Sequence, residues 1–275
     1  MSHSLALFPL LLLLTALAAA GCASQTHARP SPAPPSPAPP RGFLFGEHTL
    51  PDGGAMNYAV YIPRDAHKSR DPLPCILFLH GRGESGTDGN KMLIQGLGAA
   101  VQWNADAWPF VIIFPQKPDP NRPWDDYASD VMQILSRVRS QRPIDGRRIY
   151  LTGLSQGGRG AWVLAARNPG AFAAVAPVCG VAPTESPKSI AAALGDTPVW
   201  AFHGELDDVV PPASTRDIID ALRAERSARA STAVTKATFF PKANHNAWDP
   251  AYRETGLAGW FLGYALPERE RADPR

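Results

Sequence analysis

The stretch Gly153-Leu154-Ser155-Gln156-Gly157-Gly158 constrains this chain more than any other. It follows the strand-like run Arg148-Ile149-Tyr150-Leu151-Thr152 and precedes Gly160-Ala161-Trp162-Val163-Leu164-Ala165-Ala166, a run of helical composition that Asn168-Pro169-Gly170 brings to a stop. A strand that ends on a serine, with a helix starting on the next residue, can make so sharp a turn only if the residues two positions to either side are small. Gly153 and Gly157 meet that demand. The turn forces strained backbone on Ser155 and lifts its hydroxyl clear of the sheet. It also leaves the Gln156 N–H at a helix N-terminus, where negative charge is favoured. This is the pattern of a nucleophile elbow, and it makes the Gln156 amide a candidate oxyanion donor.

Around the elbow, apolar runs alternate with helical ones. Cys75 to Leu79 and Phe110 to Phe114 are continuous apolar runs suited to strands buried on both faces. Further strands are expected at Ala173 to Cys179, Pro198 to Phe202 and Thr235 to Phe240. Helices are expected at Asn90 to Trp103, Asp126 to Arg139, Pro187 to Leu194, Ala213 to Glu225 and Ala251 to Phe261. This alternation implies an α/β fold, a mostly parallel sheet covered by helices on both faces. Ahead of it, Phe43 to Leu50 and Met56 to Ile62 flank the turn residues Pro51-Asp52-Gly53-Gly54, which predicts an antiparallel hairpin. The connection between Cys179 and Pro198 is too short for a large lid, so an open cleft is expected.

The ends of the chain read differently. Leu5 to Ala20 is apolar and is followed by small residues, as in a secretory signal over residues 1–21. Cys22, directly after Ala-Ala-Gly, resembles a lipoprotein attachment site; ordinary cleavage after Ala20 is the alternative. Residues 22–41 are rich in Pro, Ser and Ala and predict an extended tether. Export to the periplasmic or cell-surface side, with membrane contact only through that lipid, is the expectation. Residues 42–267 form the expected catalytic domain and 268–275 a polar tail. Cys75 and Cys179, in apolar runs, are expected as buried free thiols. A formal net charge of +2 with no basic stripe argues against a nucleic-acid partner.

A serine nucleophile needs a base within hydrogen-bond reach and an acid to orient that base. With a nucleophile elbow the chain order runs Ser, then acid, then His. Of the seven histidines, only His245 follows both the serine and a suitable acid, on a loop after the Thr235 to Phe240 run. For the acid, the loop after Phe202 offers Glu205, Asp207 and Asp208. Position favours Asp207, with Asp208 its rival. The second oxyanion donor is expected from the glycine-rich stretch His80-Gly81-Arg82-Gly83-Glu84, at the Arg82 N–H, with Gly83 as the alternative. Trp124 and Trp248 are candidate walls of the substrate pocket, where aromatic faces suit sugar rings or aryl groups.

Taken in succession, His80-Gly81-x-Gly83, the elbow, His203-Gly204-x-x-Asp207-x-Val209-Val210-Pro211 and Asn244-His245 resemble the α/β-hydrolase superfamily. Within it they are similar to the phospholipase/carboxylesterase and dienelactone-hydrolase-like branch, whose members include bacterial esterases also described as predicted peptidases. The resemblance runs from Phe43 to Leu266. It implies a serine carboxylic ester hydrolase that works through an acyl-enzyme on an accessible ester, such as an acyl or aryl ester of a carbohydrate, with no metal or organic cofactor. A serine peptidase with the same triad, or a non-catalytic surface binding module on a hydrolase scaffold, are the competing readings.

Overall fold

The structure is a computed structural model that describes residues 42–68 and 71–268. The expected signal segment, Cys22, the tether and the tail beyond Glu268 lie outside the described residues. Eight strands form one sheet in the order β1-β2-β4-β3-β5-β6-β7-β8. Strands β1 (Phe43–Thr49) and β2 (Ala55–Tyr61) make the expected hairpin, and β2 runs antiparallel to β4 (Val111–Gln116). From β4 onwards every pairing is parallel, through β3 (Leu73–Leu79), β5 (Ile144–Leu154), β6 (Ala174–Val178), β7 (Val199–Gly204) and β8 (Thr235–Phe240).

Side chains alternate across this sheet, so each apolar strand feeds two cores. Leu77, Ile113, Leu151, Val175 and Ala201 share one core with residues of α2 (Ala128–Gln141), α3 (Gln156–Arg167), α4 (Pro187–Leu194) and α5 (Ala213–Ala228). Ile76, Ile112, Tyr150, Ala174 and Trp200 share the other with α1 (Gly96–Trp103), α6 (Trp248–Glu254) and α7 (Leu257–Leu262). Being parallel, β3, β5, β7 and β8 all end on one edge of the sheet. There they release the loops that carry Arg82, Ser155, Asp207 and His245, as open α/β sheets do with their ligand sites.

Two expected helices are broken. The segment from Asn90 to Trp103 is a 3-10 turn, Lys91–Leu93, followed by α1, and the segment from Ala251 to Phe261 is split between α6 and α7. Gly256 divides the second pair at φ +73°, outside the helical range. The connection between β6 and β7 holds only α4, so no lid covers the sheet edge from that side.

Strands β7 and β8 lead to Asp207 and His245, and a buried arginine pins them together. Arg226 on α5 is 3% exposed. It donates to the carbonyls of Gly195 (2.9 Å), Thr197 (2.5 Å) and Val234 (2.8 Å) and to Thr235 Oγ1 (2.6 Å). Arg226→Ala strands these buried acceptors. It is expected to lower unfolding free energy by about 3 kcal/mol, read from urea midpoints at constant slope.

Candidate active site

Ser155 sits between β5 and α3 with φ +54° and ψ −116°, the strained backbone that the elbow demands. A Cβ on Gly157 would overlap the Leu79 carbonyl, and one on Gly153 would overlap the Gly157 carbonyl. The first turn of α3 therefore presses directly on the end of β3. The Ser155 N–H donates to the Val178 carbonyl at 3.0 Å, which ties the turn to β6 as well.

His245 lies between Ser155 and Asp207. Its Nε2 is 3.0 Å from Ser155 Oγ and its Nδ1 is 2.8 Å from Asp207 Oδ2. Trp248 stands edge-on to the imidazole, with ring centres 5.4 Å apart. Asp207 is buried, and the Val209 and Val210 amides donate to its Oδ1 at 3.0 and 2.8 Å. Burial works against the charged form. The hydrogen bonds from His245, Val210 and Val209 outweigh it and hold the carboxyl below its ordinary pKa. Of the two rival acids, Asp208 is exposed and Glu205 is paired with Arg216 on α5.

Beneath Asp207 lies His203, which is fully buried. Its Nε2 is 2.9 Å from the Val210 carbonyl and 3.1 Å from Asp207 Oδ2, and its Nδ1 is 2.8 Å from Thr215 Oγ1. Burial lowers its pKa, so it acts as a neutral prop under the acid loop. Cys179, Asp207 and His245 present possible metal-ligating atoms within 4.8 Å of one another. Burial pushes the Cys179 thiol well up, and the His245 and Asp207 atoms of this group already face each other at 2.8 Å. Cys75 and Cys179 are both free and buried.

Gly81, Arg82 and Gly83 form the opposite wall, entering a short 3-10 turn at Arg82–Glu84. The N–H groups of Arg82 and Gln156 donate to no backbone carbonyl among the described residues. The loop after β4 holds both residues by their side chains. Arg82 Nη2 donates to Asn121 Oδ1 at 2.8 Å, and Gln156 Nε2 donates to the Pro120 carbonyl at 3.2 Å. The same loop is anchored by buried Lys117, whose Nζ donates to Ser85 Oγ (2.9 Å) and the Asp119 carbonyl (2.7 Å). Burial pulls the Lys117 pKa down to about 8. No sequence motif marked this loop, because its contacts are to backbone carbonyls and to side chains distant in sequence.

The cavity bounded by these elements has a volume of about 720 Å³ and is open to solvent, with Leu154, Val181, Val209 and Trp248 among its apolar walls. Trp124 is not one of them, a correction to the sequence reading. It is 2% exposed, its Nε1 donates to the His80 carbonyl at 2.9 Å, and its ring packs edge-on against His80. It supports the start of the loop after β3 through His80; the large indole is accommodated because α3 carries Gly160 where it packs.

The model of the esterase PHB depolymerase family matches residues 56–197, just over half of the chain. The chain belongs to the esterase PHB depolymerase family. The matched stretch takes in Arg82, Ser155 and Gln156 and ends before Asp207. Outside the family model, the chain is 28% identical over 174 residues to the putative esterase NocK of Nocardia uniformis subsp. tsuyamanensis, covering 58% of this chain and 47% of that protein. It is 27% identical over 208 residues to the bifunctional acetylxylan esterase/xylanase XynS20E of Neocallimastix patriciarum, covering 72% and 29%. It thus spans less than half the length of either relative. A crystal structure of a thermostable esterase superposes with a TM-score of 0.64 at 28% identity, covering 82% of this chain and 63% of that one. The fold is that of an α/β-hydrolase, as the sequence motifs suggested.

The depressed pKa of Asp207 gives a pH dependence. A carboxyl held below its unfolded value, about 3.9, stabilises the fold above that pH, and the contribution is lost as pH falls through the lower native value. Asp207→Asn is therefore expected to cost most stability at neutral pH. The gap to wild type should narrow below about pH 4, in urea unfolding series run in parallel.

Proposed function

We propose that the protein is a serine carboxylic ester hydrolase in which Ser155, His245 and Asp207 act as a catalytic triad. The observation that carries this reading is the unbroken chain of contacts from Ser155 Oγ through both imidazole nitrogens to Asp207, set on a strained turn at the floor of an open cavity. Membership of an esterase family and the two esterase relatives support it.

In this mechanism His245 Nε2 takes the proton as Ser155 Oγ attacks the ester carbonyl, and Asp207 stabilises the imidazolium that forms. The Arg82 and Gln156 amides donate to the tetrahedral oxyanion, the second from a helix N-terminus. His245 returns the proton to the leaving alcohol, then activates water to hydrolyse the acyl-enzyme. An acylated carbohydrate is the proposed substrate class. The acetylxylan esterase named among the relatives and the indole of Trp248 in the cavity wall both support it. Export and lipid attachment at Cys22 remain part of the proposal; mass spectrometry of the mature N-terminus should find a diacylated or triacylated Cys22, and an unmodified N-terminus elsewhere would contradict it.

Hydrolysis of p-nitrophenyl acetate at pH 8, by the wild type beside Ser155→Ala, tests the reaction. Activity should fall at least about 10³-fold in the folded variant. An inert folded wild type, or a variant of equal activity, would sink the reading.

A further inference from the structure

Lys117, the first residue after β4, is fully buried, an uncommon place for an ammonium group. Both oxygens that its Nζ reaches are neutral. One is Ser85 Oγ, 2.9 Å away in the loop after β3 and next to the 3-10 turn Arg82–Glu84. The other is the Asp119 carbonyl, 2.7 Å away in the loop that Lys117 itself begins. The residues that follow Asp119 hold two residues of the cavity wall. The Pro120 carbonyl accepts from Gln156 Nε2, and Asn121 Oδ1 accepts from Arg82 Nη2. The ammonium therefore fastens the two loops together next to the points where Gln156 and Arg82 are gripped.

The backbone of Lys117 makes the same junction independently. Its N–H donates to His80 Nε2 at 3.1 Å, and its carbonyl accepts from the Gly86 N–H at 3.0 Å. Neither bond needs the side chain, so the loops stay joined when that side chain is made apolar. An apolar residue of similar size would also avoid the cost of desolvating a charge. What the ammonium adds is a charged donor, whose hydrogen bonds are stronger and shorter than those of a neutral one.

That charge is lost in mildly alkaline solution, because burial pulls the pKa of Lys117 down to about 8. The charged groups around it are Asp119 in its own loop and Arg82 and Glu84 in the loop after β3. His80 is neutral, since burial takes its pKa to about 3. Asp88, further along that loop, pairs with Lys91. Tyr127, in the turn before α2, meets the Asp119 amide and has its pKa raised by burial, so its phenol stays neutral there.

We infer that Lys117 is a positioning residue for the reaction, whose ammonium sets the loop after β4 so that Arg82 and Gln156 hold their backbone amides ready for the oxyanion. The inference rests on the ester-hydrolase reading. It places the effect of Lys117 on transition-state stabilisation and not on substrate binding, so kcat responds while KM does not.

The test measures kcat and KM of the full chain on p-nitrophenyl acetate from about pH 6.5 to 9.5, a range that spans the titration of Lys117. A neutral amine keeps N–H groups to donate, so wild-type kcat should step down about threefold or more to a lower plateau, not to zero. Folded Lys117→Met should lose about tenfold to 10²-fold in kcat, the scale of a small misplacement of catalytic groups, with KM within about twofold and no alkaline step. Ser85→Ala keeps the lysine but removes one acceptor of the charged form, and should move the step to lower pH. It decides the matter alone if Lys117→Met does not fold. Wild-type kcat that stays level across this range would overturn the inference. So would wild-type kcat in folded Lys117→Met, or a step unmoved in Ser85→Ala. Each of those outcomes leaves ester hydrolysis standing, whereas a folded wild type inert towards p-nitrophenyl acetate would remove the ester-hydrolase reading itself.

Discussion

The close approach of the Gly157 backbone to the Leu79 carbonyl is the contact on which the rest of this structure depends. It lets α3 begin one residue after Ser155 while its first turn touches the end of β3. The serine is thus held at positive φ, and Ser155 and Gln156 line the same cavity as Arg82 from the loop after β3. A residue larger than glycine at 157 would push α3 away from β3. The local strain at Ser155 is outweighed by the burial of α3, whose Ala161, Trp162, Leu164 and Ala165 pack into the core.

The remaining parts of the site arrive from two other directions, and each has its own brace. On the acid and base side, Gly204 ends β7 where a Cβ would overlap the Asn244 carbonyl, so the two loops carrying Asp207 and His245 pass in contact. His203 and Thr215 support that crossing from beneath. On the Arg82 side, the loop after β4 grips Arg82 and Gln156 by their side chains, while both backbone N–H groups have no backbone carbonyl partner among the described residues. Side chains serve as anchors there, and in the proposed mechanism the backbone amides are left for the substrate, preorganised as donors in an open cavity.

Much of this could be read from residue order. A serine in a glycine-flanked strand-to-helix turn, followed by an aspartate after a later strand and a histidine after the last, restricts the candidates to a few positions. The structure brings Ser155, His245 and Asp207 into one hydrogen-bonded line. The alternation of apolar runs gave the parallel sheet because each such strand is buried on both faces. What sequence could not convey was depth. Trp124 looks from its neighbours like a pocket aromatic, yet the space opened by Gly160 draws it into the core, where its N–H meets the His80 carbonyl. Lys117 and Arg226 are charged residues in no recognised motif and Glu84 merely ends the glycine-rich stretch, so only the three-dimensional packing reveals them as buried. The sequence around Gly256 predicts one continuous helix because apolar periodicity carries through a single left-handed residue without a break.

The account's central claim is that Ser155 becomes covalently acylated during turnover. Intact-protein and peptide mass spectrometry, after rapid mixing with p-nitrophenyl acetate and an acid quench, examines this directly. One acetyl group on the peptide containing Ser155, absent from Ser155→Ala, is the expected result. Steady hydrolysis with the acetyl group on another residue, or with the same activity after Ser155 has been replaced, would contradict it.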